Sequence, residues 1–217
     1  PAFQYPTHEL YFSLERGVSD PERNRRWLAR LSRSRPLEAF RLEESDIVFD
    51  CRHDSTANVA HVLQNQIGVA LYGLQALVME DRWRDLVFVL DELAPSYAVA
   101  IFEALGLRYW KGNHPVEGYL LRMEPQKFPL RAVAADVLRA HAIRVDVLSA
   151  DEPADSGIFL SRRDRRTLKN MAEVEPIING AGYRTVFLED LPAAEQIRTV
   201  ARAGRVFALH GAGMAFL

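Results

Sequence analysis

Arg205-Val206-Phe207-Ala208-Leu209-His210-Gly211-Ala212-Gly213 is the stretch that decides the fold: an apolar run of strand length passes directly into a glycine turn. Glycine lets the backbone turn sharply and lets a ligand approach its N–H groups. Met214-Ala215-Phe216-Leu217 follows and should start a helix, whose N-terminus favours an anion. Pyrophosphate would suit such a turn. The motif is shorter than the dinucleotide fingerprint, so its spacing alone also fits an ordinary strand-to-helix turn.

Working back from this turn, the pattern predicts a helix over Pro192 to Ala203, a strand over Arg184 to Leu188, a helix over Met171 to Ala181 and a strand over Gly157 to Ser161. This is βαβαβ, half of a doubly wound nucleotide-binding sheet. The first strand runs into Ser161-Arg162-Arg163-Asp164-Arg165-Arg166. Ligands of open α/β sheets bind beyond the carboxyl ends of the strands, so these arginines and His210 should face one crevice. The planar guanidinium fork matches phosphate oxygens, although a basic run is also a common solvated loop. A complete Rossmann-like domain needs roughly twice the length of this unit. The second unit is therefore expected to be incomplete in this sequence.

Asp151 to Ser156 reads as a polar linker, dividing residues 1–150 from 157–217. In the first unit, Leu86-Val87-Phe88-Val89-Leu90 is a continuous apolar run between charges, the mark of a parallel strand covered on both faces. Further strands are predicted over Asp46 to Asp50, near Arg108 to Trp110, near Tyr119 to Met123, and over Arg144 to Leu148. Helices are predicted from Asp20 to about Leu31, over Ala57 to Val78, Ser96 to Leu105 and Leu130 to Ala140. The long helix places Val59, Leu63, Ile67, Ala70, Leu71, Leu74 and Val78 on one core face. The fold class is α/β.

Asn58, His61 and Asn65 fall on a different stripe of that helix, continued by Gly68 and Tyr72. An imidazole titrating near neutrality can act as a general base or orient an acceptor hydroxyl, whereas the plain alternative is a hydrogen-bonding surface stripe. His53, Asp54 and His61 lack a complete metal-ligand set at a recognised spacing, so no metal is assigned. Glu195-Gln196 opens a helix and reads as structural; Trp27, Trp83 and Trp110 show no periodicity of a carbohydrate platform.

Composition narrows the function classes. With 27 Lys plus Arg against 29 Asp plus Glu, no overall positive field points to nucleic acid or an anionic membrane. The single Cys51 rules out an internal disulfide framework and fits a reducing compartment. No run of about 18 apolar residues is present. A cytoplasmic protein is expected, with membrane association through partners left open. Because the chain starts on Pro1 rather than Met, removal of an upstream signal or anchor is left open too.

Ser161-Arg162, Arg166, Asn170, Gly182-Tyr183, Leu188-Glu189, Glu195-Gln196 and His210-Gly211-Ala212-Gly213 occur in an order and spacing that resemble glycosyltransferase family 61. Asn58 to His61 resembles that family's Asn-x-x-His more weakly. The resemblance implies a GT-B architecture, two Rossmann-like domains facing across a cleft, with inverting sugar transfer and no required metal or other cofactor. It places the donor, expected to be a uridine-diphosphate sugar, on Arg162, Arg166, Asn170, His210, Gly211, Ala212 and Gly213. A saccharide acceptor falls to the first unit, near Asn58 and Asn65, with His61 as the base; the expected pathway is polysaccharide assembly. A nucleotide-sugar epimerase and a non-catalytic nucleotide- or carbohydrate-binding module remain alternatives, and homo-oligomerisation stays open.

Overall fold

The computed structural model describes residues 11–19, 40–124, 131–149, 157–163 and 167–209. The helix predicted from Asp20 and the linker 151–156 lie outside the described residues. Two sheets are present among them. The first comprises β1 (Tyr11–Ser19), β2 (Phe40–Arg41), β3 (Ile47–Asp50), β4 (Leu86–Leu90), β5 (Arg108–Lys111) and β6 (Val116–Glu124). Its order is β1-β6-β3-β4-β5, with β2 beside β6. All five residues of β4 are buried, as a continuous apolar run between parallel neighbours requires. The second sheet holds β7 (Gly157–Ser161), β8 (Tyr183–Phe187) and β9 (Val206–Ala208), all parallel, in the order β8-β7-β9.

The sheet strands β3 to β6 and β7 to β9 fall where the apolar pattern places them, within a residue or a few. The fold is α/β. β1 is an addition: it pairs antiparallel with β6 from Tyr11↔Glu124 to Ser19↔Val116, which makes the first sheet mixed. Its charged Glu15 and Arg16 are exposed while Phe12 and Leu14 pack on the core, the signature of an edge strand with one wet face.

The long helix departs from the expected 3.6-residue period. Its first part, His61–Gly68, is wound as a π-helix and runs into α1 (Val69–Ala76). The i→i+5 winding re-phases the faces. Leu63, Ile67, Ala70, Leu71 and Leu74 are buried as expected, but so are Gln66 and Gly68. Gly68 is thus not on the open stripe, and Tyr72 is turned edge-to-face against Phe12, with ring centroids 5.6 Å apart. Gly73 allows that approach: a Cβ there would sit 2.7 Å from the Phe12 ring. Val78 leaves the helix altogether, in a left-handed turn at φ 57° and 85% exposed, so it is no part of the core face.

The strand expected over Arg144 to Leu148 does not form. Instead α3 (Arg131–Arg144) ends in a Schellman turn: Asp146 takes φ 58°, Val147 N–H donates to Ala142 O at 2.8 Å and Asp146 N–H to Ile143 O at 3.1 Å. Val147 and Leu148 are buried by this hook rather than by strand pairing. An apolar run of that length carries either outcome.

Two helices join the units. α2 (Ser96–Ala104) covers the first sheet, while α4 (Met171–Gly180) and α5 (Ala193–Ala201) are the crossovers of the second. On α5, Ala193, Ile197 and Ala201 recur every four residues and pack on the core of the first unit. Val200 belongs to the second core with Ile158, Leu160, Val186 and Leu188. Arg198 fastens the contact, its Nε donating to Val147 O at 3.0 Å.

At the end of β3 the fully buried Arg52 spends every guanidinium N–H. Nε and Nη2 donate to the two oxygens of Asp50 at 2.9 and 2.8 Å. Nη1 donates to Gly112 O and His114 O, and Nη2 also to Ser19 O. Burial works to raise the Asp50 pKa, but the hydrogen bonds and charge of Arg52 and the Ser19 hydroxyl hold it below the ordinary value. The clamp ties β1, β3 and the β5–β6 connection together. Arg52→Met should therefore leave a desolvated carboxylate and lower the urea-unfolding free energy by about 3–5 kcal/mol. Adding Asp50→Asn should recover part of that loss, measured as the coupling in a double-mutant cycle.

Candidate functional site

β7 lies between β8 and β9, so the chain leaves its carboxyl end in one direction and returns to its other side through α5. That reversal is the topological switch point, where open α/β sheets bind their ligands. Leu209 N–H donates to Leu160 O at 3.2 Å and draws the ends of β7 and β9 together. A cavity of about 570 Å³ opens there. Its walls come from the ends of β7, β8 and β9, from Pro192, Ala193 and Gln196 at the start of α5, and from Ala57, Val59, Tyr97 and Ala100 of the first unit. The size is ordinary for a small-molecule site.

Arg162 and Glu189 are the charged residues among the described residues lining this cavity. Ser161, buried at 6% exposure, precedes Arg162 on the wall. The start of α5 brings the positive end of its dipole to the same space. Arg163 turns away. Its Nε donates to both Asp190 oxygens at 3.0 and 2.9 Å, its Nη2 to Oδ2 at 2.5 Å, and its guanidinium lies 4.1 Å over the Phe187 ring. The two adjacent arginines thus divide their work: Arg163 is a structural tie and Arg162 meets the cavity.

Asp54 joins His61 and Asn65 of the stripe. Asp54 Oδ1 meets His61 Nδ1 at 2.6 Å, and Asp54 Oδ2 accepts from Asn65 Nδ2 at 3.0 Å. With the Nδ1 proton donated to this carboxylate, Nε2 is left as the accepting nitrogen. Burial works to raise the Asp54 pKa, yet the bonds from His61, Asn65 and Ser55 N–H bring it below the ordinary value. Asn58 is turned to its own backbone, Oδ1 accepting from Ala60 N–H at 3.0 Å, and caps the start of the helical segment. His61 and Asn65 do not line the cavity, whereas Ala57 and Val59 on the same segment do.

Of the residues singled out in the sequence, Arg166, His210, Gly211, Ala212 and Gly213 lie outside the described residues. His210 follows Leu209, which is on the cavity wall. Asn170 is exposed at the start of α4 and is not on that wall. Glu195 pairs with Arg198 at 2.5 Å, and Gln196 donates to Leu191 O at 2.8 Å, both supporting α5 as expected. Sequence reasoning missed Tyr97, whose hydroxyl donates to Ala57 O at 2.7 Å and closes the cavity from the first unit. Nothing in its local pattern marks it, since it falls in the first turn of a helix whose apolar face, Ala98, Ile101 and Phe102, is core. Among the described residues, no group of three or more His, Cys, Asp or Glu could hold a metal ion, and no helix is long and apolar enough to cross a membrane.

Residues 121–217 match the family model Glycosyltransferase 61. The resemblance read from Ser161-Arg162 to Gly213 is therefore borne out over that stretch, and glycosyl transfer is the activity it supports. The glycosyltransferase 61 match takes in the whole second sheet and Arg162, and leaves Asn58, His61 and Asn65 outside. No curated protein matches the chain.

Asp54→Ala should strip His61 and Asn65 of their shared acceptor and cost about 1 kcal/mol at pH 7, the cluster being partly exposed. Because the folded pKa of Asp54 is depressed below 3.8, its contribution is fully present above that value and fades as the pH falls through the folded pKa. Thermal melts of the two proteins should stay separated above about pH 5 and converge as the pH falls through the lowered folded-state pKa.

Proposed function

We propose that the chain carries the donor site of an inverting glycosyltransferase that moves a sugar from a nucleotide diphosphate to a saccharide acceptor in polysaccharide assembly. The observation that carries this reading is Arg162 on the wall of the switch-point cavity, within the stretch that matches glycosyltransferase 61. The diphosphate is assigned to Arg162, Arg166 and His210, with backbone N–H groups from Gly211, Ala212 and Gly213, and with Asn170 anchoring the far end of the arginine loop. A uridine diphosphate is the proposed leaving group. The two units act as the facing halves of a GT-B cleft, the second holding the donor and the first the acceptor.

In the proposed step the acceptor hydroxyl oxygen attacks the anomeric carbon from the face opposite the diphosphate. The new glycosidic bond forms as the bond to the β-phosphate oxygen breaks, which inverts the anomeric centre. His61 Nε2 takes the hydroxyl proton, and Asp54 stabilises the resulting imidazolium. Asn58 and Asn65 flank the acceptor. The charge that develops on the leaving diphosphate is met by fixed donors, Arg162 foremost, which act without reorganising at the moment of reaction.

Arg162→Ala should weaken uridine diphosphate binding by about 10- to 100-fold, the range of one lost charge-assisted contact, with an unchanged melting curve. Titration calorimetry on the full chain checks this, and unaltered affinity removes Arg162 from the donor site. His61→Ala should lower kcat by about 100-fold or more while donor KM stays within a few-fold. Normal turnover would remove His61 from the mechanism.

A further inference from the structure

Arg163 is more than half exposed, at 56%, and an exposed arginine ordinarily ranges over many rotamers. Here it is held from three sides by the end of β8 and the residues just after it. Phe187 lies under the guanidinium, Asp190 takes it by three hydrogen bonds, and Glu189 reaches the backbone, Oε1 accepting Arg163 N–H at 2.7 Å. A single surface ion pair contributes little. A bidentate pair, an aromatic face and a charge-assisted backbone bond on one residue form a network instead. Every member acts on the residue directly after Arg162, and Glu189 stands on the cavity wall beside it.

We infer that Glu189 is a positioning residue: with Asp190 it clasps Arg163 and so fixes the turn in which Arg162 presents its guanidinium to the cavity. The inference rests on the donor-site reading above. It explains why a carboxylate stands in a cavity assigned to an anion: one of its oxygens is already engaged by a backbone donor. Without the clasp, ordering that turn falls to the ligand, and affinity drops by the cost of the ordering. Asp190 does the same through the side chain. Neither acid needs to touch the ligand.

The test separates a backbone acceptor from a charged ligand contact. Uridine diphosphate is titrated calorimetrically into the full chain, its Glu189→Ala and Glu189→Gln variants, and Asp190→Ala. Glu189→Ala should bind about tenfold more weakly, and Asp190→Ala several-fold more weakly. Glu189→Gln, whose amide oxygen still accepts the Arg163 N–H, should recover most of the affinity. If Glu189→Gln is as weak as Glu189→Ala, the carboxylate acts as a charged acceptor for the ligand's hydroxyl groups and the positioning role is wrong. Variants that all match the wild type overturn the clasp while leaving the donor site standing. Wild type that does not bind uridine diphosphate overturns the donor-site reading and the clasp with it. If Glu189→Ala fails to fold, Asp190→Ala and Glu189→Gln decide: wild-type affinity in Asp190→Ala, or loss in Glu189→Gln, counts against the clasp.

Discussion

Everything about the site depends on one helix serving two cores. α5 turns Ala193, Ile197 and Ala201 toward the first unit and Val200 toward the second sheet, so one nine-residue helix contributes to both cores. Small side chains on the first face let α5 come close to α2, and Arg198 locks it to the carbonyl of Val147. The hooked end of α3 that buries Val147 is part of this arrangement: a free strand there would not present that carbonyl to Arg198. Because α5 begins at the carboxyl end of its sheet, seating it against α2 brings Tyr97 and Ala100 over the ends of β7 and β9. The cavity is what that packing leaves open.

A second constraint governs the first unit. Arg52 is buried with all its donors used, and the loop that follows it carries Asp54 to His61. The ion pair with Asp50 contributes as much to geometry as to stability, since removal of either partner strands the other away from water. The Asp54, His61 and Asn65 cluster is therefore hung from a rigid point at the end of β3. A carboxylate bonded to Nδ1 fixes the tautomer of an imidazole, which is the arrangement a general base needs.

The sequence pattern made the second unit legible because its signals agree: apolar runs of strand length, helices beginning at Met171 and Pro192, and arginines at the end of the first strand. The central strands of the first unit were legible for the same reason. What escaped was set by tertiary context. β1 carries too few apolar residues to stand out, since one face meets solvent. The π-winding at His61 to Gly68 cannot be counted from a 3.6-residue template, and it moved Gly68 and Tyr72 off the stripe assigned to them. Val147 and Leu148 are apolar enough for a strand and are buried by a helix-ending turn. Within the site, no pattern separates Arg162 from Arg163; only the position of Asp190 and Phe187 assigns one to structure and the other to the cavity. In the sequence Asp54 stands out only as a metal ligand, and its partnership with His61 needs the intervening turn to be known.

The central claim is that a nucleotide diphosphate seats at the switch point of the second sheet. A crystal structure of the full chain with uridine diphosphate tests it most directly. The account predicts phosphate oxygens within about 2.7–3.2 Å of the Arg162 guanidinium, between the ends of β7 and β9 and the start of α5. A diphosphate bound elsewhere, with Arg162 turned to solvent, would contradict it.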